Sequence, residues 1–221
     1  MRKKVLVIGT VLGIIVLVIS ALQTHSNSEP STKTNNQILN YEMVFITSWD
    51  SCSGRNYNAL QFYETITNQY LTKYGIPHQE GNPLCIPQYN IDKYTSTLQT
   101  YDLPIIILDM NIGSNLVFEH NEFGEYRYGN NGLQSILICS CSPFVESDTG
   151  AWTLSHELSH FALHFKGYPY DIFVNWVHSI QAQANSCVKE NLSLDQCPTL
   201  WTTVTSPAGK EIKMMRIYDG S

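Results

Sequence analysis

The residues with the clearest chemical potential are His156, Glu157, Leu158, Ser159 and His160. Two histidines four apart stand one above the other on a helix, about 6 Å apart along its axis, so their imidazoles can converge on one ion. Glu157, beside His156, projects next to that ion, where a carboxylate can take a proton from metal-bound water. The ion this pattern calls for is Zn2+, which brings the pKa of its bound water toward about 7. Imidazole ligands also suit Mn and Fe. A histidine on an apolar helix face is often only a hydrogen-bonded core residue. What favours chemistry here is the setting, because Trp152, Leu154, Leu158, Phe161, Ala162 and Leu163 surround the motif as a buried site helix requires.

A site of this kind needs a third protein ligand and one open position. His164 continues the series but lies about 12 Å along the axis from His156. Zn–N bonds of about 2.0–2.1 Å do not let those two share an ion, so His164 is expected beside the site or at the surface. His178 is better placed. It follows His160 with 17 residues between, enough to finish one helix, turn at Gly167 and Pro169, and return. On the returning helix Asp171, Asn175 and His178 fall at i, i+4 and i+7, on one face. His178 is therefore the expected ligand, with Asp171 and Asn175 open as ligands or as partners that orient an imidazole.

With His156 to His160 and His178 in place, the chain resembles the zincin metallopeptidases, and within them the gluzincin arrangement. There the third ligand comes from a second helix after a turn, often at about this spacing. Those enzymes use Glu where His178 stands here, which would make the site more positive by one charge. The resemblance implies a peptide or protein substrate, Zn2+ held by His156, His160 and His178, and Glu157 as general base. It also implies a sheet ahead of the motif helix whose edge strand pairs with extended peptide. The segment 133–140 is the expected edge. Tyr168, Tyr170 and His164 are open as helpers for a developing oxyanion. The competing class is a non-catalytic cell-surface binding module that keeps the helix pair as scaffold. The intact trio of His156, Glu157 and His160 weighs against it.

The elements that must position these residues follow from periodicity. A strand over 43–47 precedes a helix over 58–74, whose Leu60, Tyr63, Ile66, Tyr70 and Tyr74 recur at helical spacing before Gly75. The prolines at 77, 83 and 87 make 77–90 irregular. The apolar run 103–110 has the length of a buried strand. The segments 123–128 and 133–141 flank Gly129-Asn130-Asn131-Gly132, a hairpin composition. The motif helix spans 149–166 and a second, antiparallel helix spans 171–189, while the tail from 197 has no assignable pattern. The fold class is α+β: a zincin-like mixed sheet with two late helices, stapled by disulfides.

Composition bounds the rest. Arg2, Lys3 and Lys4 precede a run without charge from 5 to 22, long enough for a signal anchor across a membrane. The positive-inside rule then places everything after it outside the cytoplasm, secreted if that segment is cleaved. A polar stalk over 23–40 leads to the domain at 41–221. All six cysteines lie after the apolar run, and an even count in an exported domain reads as disulfides, with Cys187–Cys197 the nearest pair. Cys139 and Cys141 share one face of a strand and are expected to take different partners. A net charge of -6, with Lys and Arg numbering 13, excludes a basic surface for nucleic acid.

Overall fold

The computed structural model describes residues 37–109, 123–128, 133–140 and 148–220. The first 22 residues, the turn at 129–132 and Cys141 lie outside them, so the expectations for the anchor, that turn and Cys141 are not addressed by it. Among the described residues no helix is long and apolar enough to cross a membrane.

The chain forms a mixed sheet with helices mainly on one face. Strand β1 (Leu39–Thr47) begins inside the segment expected to be stalk, because Leu39 and Tyr41 are fully buried. Helix α1 (Gly54–Lys73) follows, then the short strands β2 (His78–Glu80) and β3 (Leu84–Pro87). Those two occupy the segment expected to be irregular, and both pair in parallel with β1. Helical turns at Gln88–Lys93 and Thr95–Leu98 lead to β4 (Leu103–Asp109). Next come β5 (Gly124–Tyr128), β6 (Gln134–Ser140) and the motif helix α2 (Asp148–Phe165). A π-helical segment (Asp171–Trp176) runs into α3 (Val177–Lys189). The tail that carried no pattern closes as an antiparallel pair, β7 (Trp201–Thr205) and β8 (Glu211–Met215).

Strand order in the main sheet is β2-β1-β4-β6-β5, with β3 also against β1. Neighbours β1, β4 and β6 are parallel, whereas β5 returns antiparallel along β6. Parallel strands covered on both faces read as continuous apolar runs, and these do. Tyr41, Met43, Phe45, Ile105, Ile107, Ile136 and Ile138 point to the face covered by α1 and α2, where they meet Leu60, Ile66, Leu158 and Phe161. Val44, Ile46, Leu108 and Leu137 point the other way, onto Ile86, Ile91 and Leu98. The two arms expected to flank a turn, β5 and β6, pair antiparallel. That pairing corrects the expected edge: β6 lies between β4 and β5, so among the described residues β5 is the edge strand at this end of the sheet.

Two disulfides between described residues hold the periphery. Cys52–Cys85 ties the approach to α1 onto β3, and Cys187–Cys197 closes the loop behind α3 as its spacing suggested.

Candidate metal centre

Helix α2 is built to hold two faces at once. Its back is knitted to the core through small hydroxyls. Ser155 Oγ accepts the Met215 N–H of β8 at 2.9 Å. Ser159 Oγ meets Tyr70 Oη of α1 at 2.7 Å, and that phenol donates to the Met215 carbonyl at 2.9 Å. Leu154 and Leu158 are wholly buried between these anchors. The front then presents His156 and His160, with Glu157 at the flank, 5% exposed.

Beyond Phe165 the chain reverses at Gly167, whose φ of +77° is a left-handed conformation that a side chain would oppose. Gly167 N–H donates to the His164 carbonyl and Tyr168 N–H to that of Leu163, satisfying two helix-end acceptors. The returning segment is wider than an α-helix. It runs as a π-helix from Asp171 to Trp176, a form frequent at functional sites. Trp152 Nε1 donates to Gln181 Oε1 at 2.6 Å and locks α3 alongside α2.

This packing brings His156, His160 and His178 together, with one ligand nitrogen from each lying within 4.8 Å of the others. The Nε2 atoms of His156 and His160 are 3.2 Å apart. Two nitrogens sharing one tetrahedral zinc stand roughly 3.3 Å apart at Zn–N bonds of 2.0–2.1 Å, so this pair fits a common ion. The His178 ring, on an exposed side chain, stacks on His156 at 5.6 Å and stands edge-on to His160 at 5.0 Å.

The protonation pattern also suits a metal. His160 Nδ1 lies 2.5 Å from the Phe173 carbonyl, which can only accept, so the proton sits on Nδ1 and the Nε2 lone pair faces His156. Burial lowers His160 to about 4 and His156 to about 3, the repulsion of neighbouring imidazoles adding to the effect. Both are held neutral, the form that ligates. His156 Nδ1 is buried without a hydrogen-bond partner among the described residues. Three imidazoles gathered within 4.8 Å, two of them held neutral, have the donor set of a divalent transition metal.

The other expected residues divide. Asp171 and Asn175 are exposed and bond to each other, Asn175 Nδ2 donating to Asp171 Oδ1 at 3.0 Å, and Asp171 is not grouped with the three imidazoles. His164 stands apart from it: its Nδ1 meets Tyr126 Oη at 2.7 Å, and that phenol donates to Gln134 Oε1 at 2.8 Å. Tyr168 packs on Tyr218, whereas Tyr170 is exposed over Phe173.

Two contributors escaped the sequence. The Phe173 carbonyl is a main-chain group with no residue-type signature. Gly124 is the other. A Cβ there would stand 2.9 Å from Thr153 Cγ2 and 3.0 Å from Glu157 Oε1, so edge strand β5 passes directly against the Glu157 carboxylate. A glycine inside a strand run is the one signal that could have marked such an approach.

Comparison with protein-family models, with curated proteins and with solved structures found no match to this chain.

Proposed function

We propose that the domain is a zinc-dependent peptidase presented outside the cell and anchored through residues 1–22. The observation that carries this is the convergence of the His156, His160 and His178 imidazoles beside a buried Glu157. Zinc, when bound, supplies Lewis acidity and a water whose pKa falls toward about 7. His156, His160 and His178 would hold the ion, and Glu157 would act as general base toward the water that attacks the scissile carbonyl. The same carboxyl then delivers the proton to the leaving amine as the C–N bond breaks. Phe173 holds the His160 tautomer throughout.

The substrate platform is β5. Cys139 N–H donates to the Phe123 carbonyl at 2.7 Å, so positions 123, 125 and 127 turn their main-chain groups toward β6. Gly124, Tyr126 and Tyr128 then direct theirs outward, where no strand pairs with them among the described residues. An extended peptide can add there, with Gly124 bringing its backbone past Glu157. The disulfides fit the oxidising side of a membrane.

Elemental analysis of the purified full chain, beside His160→Ala and His178→Ala, tests the metal. About one zinc per chain, lost in both variants, is expected. Zinc kept in His178→Ala would remove that residue from the ligand set, and no stoichiometric metal in the native chain would sink the enzyme. Glu157→Gln should keep the zinc and lose peptide hydrolysis. Unchanged hydrolysis in that variant would refute the assigned base.

A further inference from the structure

Beyond the metal cluster, β5 runs alongside α2 from Gly124, against Glu157, to Tyr128, against His164. Four residues of strand cover about 13 Å. At the far end lies an aromatic surface. Tyr128 and Tyr170 both stand edge-on to the Phe173 ring, at 5.9 and 5.5 Å, and remain 43% and 57% exposed. Phe173 is itself 5% exposed and forms a floor rather than a wall. His164 lies flat on that floor at 4.8 Å, its ring fixed by Tyr126.

We infer that Tyr128, Tyr170 and Phe173 form a subsite for an aromatic or large aliphatic side chain of the peptide, about four residues N-terminal to the scissile bond. This rests on the peptidase assignment above. The distance follows from the strand rise between Gly124 and Tyr128. The direction follows from antiparallel pairing, the more stable mode, in which a peptide on β5 runs from the Tyr128 end toward Gly124. The face follows from register: Tyr128 sits opposite Gln134 and turns its side chain to the α2 side, and a substrate residue paired with it does the same. The charged side chains of β5, Glu125 and Arg127, pair with each other on the opposite face, so the subsite is apolar.

The floor is coupled to the reacting centre, because the residue whose ring carries the subsite holds His160 through its own carbonyl. Binding energy collected at the ring is delivered one residue from the metal ligands. This is the arrangement in which remote contacts raise turnover as well as affinity.

The test is a cleavage profile. Zinc-loaded full-length protein is incubated with a proteome-derived peptide library, and the cut sites are read by mass spectrometry. Phe, Tyr, Trp or Leu should be enriched about 2- to 10-fold at the third to fifth residue before the cut. In Tyr128→Ser and Tyr170→Ser, with zinc content and melting temperature checked against the native chain, that enrichment should collapse. Cleavage without enrichment at those positions, or enrichment for Lys and Arg there, overturns the subsite and leaves the peptidase standing. Native-like enrichment in both variants overturns it too. No cleavage of any peptide by zinc-loaded protein overturns the peptidase itself, and the subsite with it.

Discussion

Gly124 and the imidazoles show how much rests on single side chains. Adding one methyl group at Gly124 puts carbon 3.0 Å from Glu157 Oε1, and the carboxylate must move because the Thr153 methyl group already stands at 2.9 Å. Gly124→Ala is expected to lower kcat/KM by about 10- to 100-fold, since displacing a catalytic group by a fraction of an ångström costs on that scale. Zinc content should stay native. Full activity in the alanine variant would show that Glu157 is not the base, or that β5 is not its neighbour. The imidazoles predict a pH dependence. His156 and His160 are lowered from 6.5 to about 3 and about 4, by burial first. As the pH falls from about 6.5 toward 4, the unfolded chain binds protons that the folded chain refuses, so the metal-free protein loses stability across that window. Thermal melts of metal-free native protein and His156→Asn should diverge there, the native chain showing the steeper loss. Identical pH profiles would show that this imidazole is not held neutral by the fold.

Among the elements, α2 depends on its back as much as on its front. Ser155 and Ser159 have small hydroxyls that let α1 and β8 pack closely and still satisfy the Tyr70 phenol and the Met215 N–H. Tyr70→Phe removes a buried hydroxyl bonded at 2.7 and 2.9 Å, and leaves Ser159 and the Met215 carbonyl short of that partner. A loss of about 1–3 kcal/mol in chemical denaturation is expected. A change below about 0.5 kcal/mol would mean that water replaces the phenol freely. Periodicity made most of these elements legible. The stripe of Leu60, Tyr63, Ile66 and Tyr70 marked α1, though its first turn was missed because Asn56 reaches back to the Ser53 N–H and starts the helix in polar sequence. The β7–β8 hairpin was illegible for a different reason. Ile212, Met214 and Met215 become core only because α2 lies beside them.

For the whole molecule, the covalent ties set the tolerance to reduction. Cys52 and Cys85 are 33 residues apart, and closing a loop of that length restricts the unfolded chain by about 3–4 kcal/mol. The double variant Cys52→Ser/Cys85→Ser should lose about that much stability by urea titration, while keeping the histidine cluster at the opposite end of the sheet order. A negligible shift in urea midpoint would show that the unfolded chain is already compact there.

The sequence alone determined what short-range repetition can encode. The four-residue spacing of His156 and His160 put two imidazoles on one helix face, and Gly167 with Pro169 required a turn that could bring His178 back. The apolar runs at 103–109 and 134–140 called for buried strands. The α+β class followed from the order of those elements. Tertiary structure decided what long-range contact encodes. It chose β5 rather than β6 as the edge, because strand order depends on which neighbours pair rather than on any strand's own composition. It paired Asp171 with Asn175 at the surface, on a π-helical segment that the spacing alone did not announce. It also recruited the Phe173 carbonyl, a group every residue carries, whose role comes only from where the chain passes.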